Sequence, residues 1–582
     1  MEKRITISLY IVSLFFCIFI FRLFSLQVLK GHEYKKIDEL NRIRVVDILA
    51  PRGIIYDRHN RALVKNVPSF DITAIKEDVP DDSNKLSSMS KLIGLKTDVL
   101  KSRLGGSAAS PFENIILKQN VSFKEVAKVE ARKADFPGLQ VNVVGGREYL
   151  YGHSASHLLG YLGSLGHRQS EQLQYKGVPK GSFIGLFGIE KIHDMTLRGL
   201  AGKKILEVDA LGRIINVVRI QRPVQGQDIQ LTIDVELQIE AEKNLSGKAG
   251  SIVAMDPETG AILAIASSPT FNPNLFVRGI DTRDWKKLIK DSRKPLLNRA
   301  IQSQYAPGST FKIITAIAAL EEGIVDRNTN FYCSGSTMFG RVFKCWKKDG
   351  HGSVDIHRAI VESCDVYFYE IGKKLDVDVL ADYAFGYGLG RFTGLRLDGE
   401  VAGIVPTRRW KQETKGERWY KGETLNTVIG QGYLSVTSLQ VATMMSAVVN
   451  GGKLYEPYLL TDSGNRVRDD SMRKIRPDHI QLIKDALHGV VEEEKGTGRL
   501  AMSELVSIAG KTGTTQVVGG GSEEKDIPEK FRDHAWFVAF APVDNPKIVV
   551  SVFIEHGGHG SSAAAPIARN IIDTFYKGRV KL

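Results

Sequence analysis

The sequence predicts an α+β protein with an N-terminal transmembrane helix, a mixed α/β domain and a larger domain built on a central antiparallel sheet covered by helices. Three observations support this fold class. A strongly apolar run opens the chain, short β-like runs alternate with polar helical sequence up to about residue 223, and the remainder has strand patterns at both ends. Strands at both ends of a domain with helical sequence between them favour one sheet with helices packed against it.

The first element is the apolar run from Ile5 to Phe21, which carries no charge and follows two basic residues. Together with the apolar residues up to Leu29 it can span a hydrocarbon core of about 30 Å, with Arg22 extending to the interface. A cleaved signal peptide is the alternative, but no small-x-small cleavage site follows. We predict that residues 1–29 form a cytoplasmic tip and a membrane-spanning helix, which leaves the rest of the chain outside the cytoplasm by the positive-inside rule.

The formal net charge of +13 raises the question of an anionic partner. No aromatic-basic module and no Cys/His finger accompanies the charge, which argues against nucleic acid. An anionic membrane and cell wall fit better, and a basic solvated surface without any partner explains the charge equally well.

Residues 30–228 form the predicted second domain, which we call the pedestal. No constellation of catalytic residues occurs in it. A polar stretch from Gln221 to Asp228, interrupted by Pro223 and Gly226, predicts a linker at its end. The predicted strands of the pedestal are Val45–Leu49, Phe70–Ile75 and Gln140–Val144.

The third predicted domain, residues 229–582, opens with two strands, Ser251–Met255 and Ala261–Ala266. They flank a Pro-Glu-Thr-Gly turn and should therefore pair as an antiparallel hairpin. Three further strands and a closing helix are predicted near the end of the chain. They are Ile508–Val517, Ala535–Ala541 and Ile548–Glu555, with the helix at Ala564–Tyr576.

The third domain contains the sequence Ala-Pro-Gly-Ser309-Thr-Phe-Lys312, followed by the apolar run Ile313–Leu320. The Pro-Gly pair ends any preceding element, and the apolar run predicts a buried helix with Ser309 in its first turn. An i,i+3 spacing places the hydroxyl and the amine on one face, about 5–6 Å apart. Ser309 is therefore a candidate nucleophile and Lys312 a candidate base, at a helix N-terminus that favours an oxyanion.

The Ser-x-x-Lys pattern occurs four times in the chain, so it is a weak signal by itself. Its context and two later motifs distinguish Ser309 and Lys312 from the other pairs. Only Ser309 opens a long apolar helix, whereas the other three pairs lie in polar, loop-like sequence. Downstream come Ser363-Cys364-Asp365 and Lys511-Thr512-Gly513-Thr514, which contains the only Lys-Thr-Gly. The other Ser-x-x-Lys pairs are Ser88/Lys91, Ser471/Lys474 and Ser522/Lys525.

These three motifs, in this order, resemble those of the penicillin-recognising serine acyltransferases, the penicillin-binding proteins and serine β-lactamases. Residues 250–266 also resemble the opening hairpin of that domain, and Gly430-Gln-Gly432 resembles its glycine-rich strand entry. The pedestal resembles that of the class B, monofunctional penicillin-binding proteins, and the similarity is strongest to their elongation-type group, penicillin-binding protein 2. The pedestal segments that carry it are Pro51–Asp57, Gly188–Glu190 and Leu197–Gly199.

The resemblance implies a D,D-transpeptidase. Such an enzyme attacks the D-Ala-D-Ala end of a peptidoglycan stem pentapeptide, releases D-alanine and transfers the acyl group to an amine of a neighbouring stem. It implies that β-lactam antibiotics acylate the same serine as substrate mimics, and that the chemistry needs no cofactor. It also implies a SEDS-type (RodA-like) glycan polymerase and the elongation complex as partners, and a single-pass location in the cytoplasmic membrane with the catalytic domain in the periplasm.

The resemblance also implies roles for the motif residues. Ser309 is the nucleophile, and Lys312 is the proton acceptor, which requires its neutral form. Ser363 is a hydroxyl relay between Lys312 and the leaving amine, positioned by Asp365. The third motif lies on an edge strand and holds the substrate's terminal carboxylate, and the oxyanion lies between the backbone N–H groups of Ser309 and Thr514. The residues of this motif are Lys511, Thr512, Gly513 and Thr514.

Asp365 departs from the asparagine that most of the superfamily carries in the second motif. A carboxylate there opposes deprotonation of Lys312 unless it is itself paired, for which Lys511 and Lys312 are the candidates. Elongation-type proteins often carry Ser-x-Asp, so we interpret Asp365 as a marker of that group.

The second candidate site is the set Cys333, Cys345, His351 and Cys364, within 32 residues of chain. Three thiolates and an imidazole suit a closed tetrahedral zinc site (Zn²⁺). In an oxidising compartment two of the cysteines can instead form a disulfide, and Cys364 can simply pack in the core. Proteins that resemble this group bind zinc at corresponding positions, some with Asp in place of Cys.

Several other functions compete with the leading one. A division-type transpeptidase would share the motifs, and a D,D-carboxypeptidase or β-lactamase would use water in place of the amine, although the pedestal and anchor argue against both hydrolases. A β-lactam sensor would need a cytoplasmic relay that the sequence lacks, and a scaffold with vestigial catalysis fits poorly with three intact motifs. The Gly-, Glu- and Lys-rich segment Val517–Asp533 is either a flap over the site or a disordered loop.

Overall fold

The computed structural model describes the whole chain except residues 1, 33–41, 76–77, 80–81, 106–113, 137, 180–181, 210–213, 278, 465, 468–474, 518–527 and 581–582. The chain begins with helix α1 (Glu2–Phe24), which continues into a π-helical turn at Ser25–Leu29. Among the described residues, Arg4–Leu29 is the one segment long and apolar enough to cross a membrane, with a mean hydropathy of 2.4. No residue of its most apolar stretch is buried against the described part of the protein, which is consistent with the predicted anchor.

The framework of the pedestal consists of two sheets and a two-stranded ribbon. Its strands are β1 (Ile43–Ile48), β2 (Ile55–Tyr56), β3 (Ala62–Ile75), β4 (Asn114–Val121), β5 (Leu139–Tyr149), β6 (Tyr161–Ser164), β7 (Phe183–Phe187), β8 (Gly202–Val208), β9 (Ile214–Gln221) and β10 (Ile229–Gln230). One sheet has the order β1-β8-β9, and the other has the order β10-β2-β3-β4 with β5 also paired to β3. The three predicted pedestal strands are therefore confirmed as parts of β1, β3 and β5.

Short helices surround these strands. They are α2 (Ser83–Ile93), α3 (Thr97–Gly105), α4 (Phe123–Glu130), α5 (Ser156–Leu159), α6 (His167–Ser170), α7 (Gly188–Ile192) and α8 (Asp194–Arg198), with a 3-10 turn at Leu173–Tyr175. The prediction that Ser88 and Lys91 lie in a loop is wrong, because both belong to α2, which Asp82 caps at its N-terminus. The pairs Ser471/Lys474 and Ser522/Lys525 lie outside the described residues.

A buried ion network joins two of the pedestal segments that carry the family resemblance. Glu190 is fully buried and accepts hydrogen bonds from Arg52 Nε at 2.7 Å and from Arg147 Nε at 2.8 Å. Arg52 also pairs with Asp194 at 2.8 Å. Burial alone would raise the pKa of Glu190, but the two guanidinium groups outweigh it and lower that pKa. The network thus fixes the segment around Arg52 to helices α7 and α8.

A five-stranded antiparallel sheet forms the centre of the third domain, in the order β12-β11-β19-β18-β17. These strands are β11 (Gly250–Met255), β12 (Ile262–Ser268), β17 (Ala509–Thr515), β18 (His534–Ala541) and β19 (Ile548–Ile554). Two short ribbons complete the strands: β13 (Phe331–Cys333) with β16 (Gly352–Val354), and β14 (Ser336–Phe339) with β15 (Arg341–Lys344). The predicted hairpin and the three late strands are confirmed, and β17 forms an edge of the sheet.

Helices of this domain cover both faces of the sheet. The helices described after β10 are α9 (Val235–Asn244), α10 (Asn274–Val277), α11 (Thr282–Lys290), α12 (Arg299–Gln302), α13 (Lys312–Glu321), α14 (Ile356–Val361), α15 (Asp365–Lys374), α16 (Val377–Gly386), α17 (Arg408–Lys415), α18 (Lys421–Thr427), α19 (Ser438–Val449), α20 (Pro477–Glu492), α21 (Gly560–Ala563) and α22 (Ala565–Val580). Helix α19 packs on β11 and β19, whereas α9 and α22 pack on the opposite face. The predicted α+β architecture with a helix-covered antiparallel sheet is confirmed.

Two local predictions need adjustment, those for Ser309 and for Gly430 to Gly432. Ser309 lies in a 3-10 turn, Gly308–Phe311, and α13 begins only at Lys312. Gly430 to Gly432 form a turn after α18, not the entry to a strand. Strand β10, the first element after the predicted linker, pairs in parallel with β2 of the pedestal, and the division at residue 228/229 remains a prediction. Most of the predicted flap 517–533 lies outside the described residues.

Candidate active site

The turn that carries Ser309 is held between the edge strand β17 and the loop after α18. Gly308 has φ +55°, and a Cβ at this position would lie 2.6 Å from the Thr514 carbonyl oxygen. Only glycine allows both the left-handed backbone and this approach. The Gly308 N–H donates to the Gly430 carbonyl at 3.0 Å, and the Trp536 indole N–H donates to the Ala306 carbonyl at 3.1 Å. Half-buried Ser309 therefore lies next to the third motif.

Lys312 is the centre of the hydrogen-bond network of the site. Lys312 is the first residue of α13 and follows the 3-10 turn that carries Ser309. Its side chain is fully buried, and its Nζ donates to Asp365 Oδ1 at 2.7 Å and to the Ser363 carbonyl at 2.8 Å. Ser363 Oγ lies 3.2 Å from the same nitrogen. The first and second motifs, 51 or more residues apart in sequence, thus meet at one amine.

The second motif is held in a strained turn between α14 and α15. Ser363 has φ +53°, a left-handed conformation that is unfavourable for a residue with a side chain. Its carbonyl accepts hydrogen bonds from both Lys312 Nζ and the Trp346 indole N–H, the latter at 3.1 Å. Asp365 Oδ2 accepts the Trp346 backbone N–H at 3.0 Å. The predicted pairing of Asp365 is thus realised with Lys312.

Lys511 lies on the edge strand β17, fully buried. Burial, together with the positive charge of Lys312, lowers the pKa of Lys511 well below its ordinary value, although the Asp365 carboxylate acts in the opposite direction. The three charged residues of the three motifs are therefore electrostatically coupled in one buried region.

The rest of the third motif follows Lys511 along the strand. Thr512 Oγ1 lies 2.9 Å from Thr497 Oγ1, in the loop before β17. A Cβ at Gly513 would lie 2.8 Å from the Pro307 carbonyl oxygen, so glycine allows the strand to approach the Ser309 turn. Thr514 is half-buried, and its carbonyl accepts from the Gln431 side-chain amide at 3.3 Å.

The four residues of the second candidate site converge beside the second motif. Their ligand atoms all lie within 4.8 Å of one another, and all four side chains are buried. Cys333 Sγ and Cys345 Sγ each lie 3.6 Å from His351 Nδ1. All three cysteines are free thiols, so the predicted alternative of a disulfide is not realised in this structure. Since Cys364 separates Ser363 from Asp365, this cluster adjoins the Lys312 site directly.

Sequence reasoning missed three residues that contact the site. Trp346 follows Cys345 and contacts both Ser363 and Asp365, Thr497 contacts Thr512, and Gln431 contacts Thr514. Trp346 and Thr497 belong to no motif, and their contacts join segments distant in sequence. For Trp346 the one available signal was its position directly after a candidate metal ligand.

Two family models match the chain. The model described as "Penicillin binding protein transpeptidase domain" matches residues 250–573, and "Penicillin-binding Protein dimerisation domain" matches residues 47–231. The curated "Peptidoglycan D,D-transpeptidase MrdA" of Haemophilus influenzae is 34% identical, over 96% of this chain and 89% of its own length. The same two domains therefore occur in the same order in this chain.

Solved structures agree with the sequence relatives. Penicillin-binding protein 2 of Helicobacter pylori, determined in complex with MreC, has a TM-score of 0.80 and 29% identity, covering 92% of this chain and 99% of its own. A chain from a peptidoglycan synthase complex has a TM-score of 0.74 and 31% identity, covering 98% of both chains. With the first and second motifs meeting at Lys312, the third motif beside the Ser309 turn and both domains matched, the chain belongs to the elongation-type class B penicillin-binding proteins, a family of serine-type peptidoglycan D,D-transpeptidases.

Proposed function

We propose that this chain cross-links peptidoglycan stem peptides during cell elongation through an acyl-enzyme on Ser309. The observation that carries the assignment is the environment of Lys312. This amine lies one turn after Ser309, contacts Ser363 and Asp365, and is charge-coupled to Lys511. Nucleophile, proton acceptor, relay and cation are the groups that acyl transfer from a peptide requires.

The first half of the reaction forms the acyl-enzyme. Ser309 Oγ attacks the carbonyl carbon of the penultimate D-alanine while neutral Lys312 accepts the hydroxyl proton. The backbone N–H groups of Ser309 and Thr514 donate to the oxyanion. When the intermediate collapses, the carbon–nitrogen bond breaks, and the proton passes from Lys312 through the Ser363 hydroxyl to the leaving amine of D-alanine. An ester to Ser309 remains.

The second half transfers the acyl group. An amine of a neighbouring stem attacks the ester carbonyl, its proton passes to Lys312, and collapse forms an amide cross-link and restores the Ser309 hydroxyl. Asp365 orients the Lys312 amine and the Ser363 turn throughout. β-Lactams follow the first half only. When their ring opens, the amine stays attached to the acyl group and cannot depart.

Lys511 is the cation proposed to bind the terminal carboxylate of the substrate. Burial and the charge of Lys312 lower the pKa of Lys511, which makes its ammonium form costly without an anionic partner. The terminal carboxylate of the substrate supplies such a partner and favours the ammonium form of Lys511. Thr512, Gly513 and Thr514 supply the edge strand along which the substrate backbone lies.

The decisive experiment is mass spectrometry of the penicillin adduct on the full-length chain in detergent, followed by peptide mapping. The adduct is expected on the peptide that contains Ser309. A single adduct on any other serine contradicts the proposal. A transpeptidase forms an amide with an added acceptor amine, whereas rapid release of penicilloate with no amine product would favour a hydrolase.

The location and partners of the chain form a second part of the proposal. Helix α1 anchors the chain in the cytoplasmic membrane with both folded domains in the periplasm. Strand β9 is exposed along its whole length and carries Ile215, Val218 and Ile220, and a cavity of about 670 Å³ lies between the two pedestal sheets. We propose that these surfaces receive a SEDS-type polymerase and other elongation proteins. Copurification from membranes tests this, and recovery of the chain alone would count against it.

The third part of the proposal is a structural zinc site formed by Cys333, Cys345, His351 and Cys364. Tetrahedral zinc with bonds of about 2.3 Å to sulfur and about 2.05 Å to nitrogen separates these ligand atoms by about 3.6 Å. That is the observed distance from His351 Nδ1 to both Cys333 Sγ and Cys345 Sγ. The remaining imidazole nitrogen, His351 Nε2, is buried without a hydrogen-bond partner among the described residues. A bound ion would neutralise the thiolates and hold Cys364 in place.

We expect that removal of this metal slows acylation of Ser309, because Cys364 lies between the two second-motif residues that contact Lys312. The measurement compares fluorescent-penicillin labelling and zinc content in native protein and in Cys333→Ser, which removes the ligand most distant in sequence from Ser363. A loss of bound zinc with a fall in labelling of about tenfold or more is expected, as for loss of structural support around a catalytic group. Normal labelling in protein shown to contain no metal would contradict the prediction.

A further inference from the structure

Trp346 occupies an unusual position for an exposed aromatic residue. Its side chain is 59% exposed, yet its backbone N–H and its indole N–H both donate to residues of the second motif. Its ring also lies edge-on to the His351 ring, with centroids 5.4 Å apart. An exposed tryptophan ordinarily contributes little to a fold, so these directed contacts call for an explanation.

The indole N–H is shared between two carbonyls in the strained turn. Trp346 Nε1 donates to the Ser363 and Glu362 carbonyls, each at 3.1 Å. Ser363 has φ +53°, and a strained residue keeps such a conformation only where its surroundings hold it there. Among the described residues, two side chains donate to the Ser363 carbonyl: the Trp346 indole and Lys312 Nζ.

The backbone N–H of Trp346 acts on the other partner of Lys312. It donates to Asp365 Oδ2 at 3.0 Å, while Asp365 Oδ1 accepts from Lys312 Nζ at 2.7 Å. Trp346 therefore contacts both residues that accept hydrogen bonds from the Lys312 amine, Ser363 and Asp365. We infer that Trp346 is a positioning residue for the transpeptidase reaction: its indole N–H keeps the Ser363 turn in the conformation that places Ser363 Oγ beside Lys312.

This inference rests on the proposed roles of Ser309, Lys312 and Ser363, and it predicts a particular kinetic signature. A side chain that acts through the Lys312 network changes the acylation rate constant and leaves the preceding non-covalent affinity for the β-lactam unaltered. A side chain that contacts the antibiotic changes the affinity. A side chain that only packs changes neither when its shape is kept.

The test replaces the indole N–H without changing the ring. In full-length protein, Trp346 is exchanged for 3-benzothienylalanine, in which sulfur takes the place of the N–H, and separately by Trp346→Phe. Stopped-flow with a fluorescent penicillin then separates affinity from the acylation rate constant. We expect both variants to acylate about tenfold more slowly, as for one lost hydrogen bond of ordinary strength, with affinity unaltered within twofold. Trp285→Phe, on α11 away from the site, is the matched control and should acylate normally.

The possible results separate this inference from the proposed function. An acylation rate constant within twofold of native in the benzothienylalanine variant overturns the inference, whatever Trp346→Phe does, because only the N–H is missing there. A change confined to affinity overturns it too, since it indicates a substrate contact. If the native protein carries its penicillin adduct on a serine other than Ser309, the proposed function itself fails before any variant is compared.

Discussion

Replacing Lys312 with methionine is expected to slow acylation of Ser309 by β-lactams about 10²- to 10⁴-fold, the range typical for loss of a positioned general base. Methionine has nearly the length of lysine and tolerates the complete burial of this side chain. The variant therefore removes the proton acceptor and its three hydrogen bonds with little change in volume. Asp365 loses its cationic partner at the same time.

The measurement is the second-order rate constant for fluorescent-penicillin labelling, together with thermal unfolding. Lys484→Met provides a matched control, since Lys484 is a buried lysine on α20 and forms no hydrogen bond or ion pair with the three motifs among the described residues. Labelling of the Lys312 variant at the native rate, in folded protein, would show that another group takes the Ser309 proton. The double variant Lys312→Met/Asp365→Asn separates two effects of the first substitution. It removes the unpaired carboxylate but does not restore the base, so any rate that it recovers is due to the carboxylate.

The second large effect is expected in the pedestal, from Glu190→Ala. Glu190 is fully buried between Arg52 and Arg147, so its removal leaves two guanidinium groups without their shared carboxylate. Breaking a buried ion pair from one side costs about 3–5 kcal/mol in the free energy of unfolding. Chemical unfolding of the full-length chain in detergent, followed by circular dichroism, measures this loss.

An exposed ion pair in the same domain supplies the control for that measurement. Glu148 pairs with Lys65 at 3.4 Å, and both side chains are 45% exposed. Glu148→Ala is therefore expected to change the free energy of unfolding by about 1 kcal/mol or less. Equal effects of the two substitutions would mean that the Glu190 network does not stabilise the pedestal.

The sequence predicted those parts of the site whose signals are local. A Pro-Gly pair before an apolar run indicated the turn at Ser309 and the buried helix α13, and the turn sequence between β11 and β12 indicated their hairpin. It could not distinguish a 3-10 turn from the first turn of an α-helix at Ser309, because both place residues i and i+3 on one side. The spacing thus predicts that Ser309 and Lys312 share one side of the chain, without identifying the exact element.

The parts that were missed depend on contacts between distant segments. Trp346 reaches the Ser363 carbonyl only because the cysteine cluster folds its loop back onto α15, and no periodicity in the sequence reports that. Helix α2 is a different case, since its signals were present. Asp82 caps its first turn and Gly94, with φ +72°, ends it, but the serine-rich interior of the helix resembled a loop.

The parallel pairing of β10 with β2 has a practical consequence for dissecting this protein. Ile229 and Gln230 continue directly into the catalytic domain, yet their backbone completes a sheet that belongs to the pedestal. Cutting the chain before residue 229 would separate this strand from the pedestal. In the pedestal fragment Ile55 and Tyr56 would then have an unpaired edge, which favours association between chains. A truncation intended to keep the pedestal and the catalytic domain folded and soluble should therefore remove only the membrane anchor.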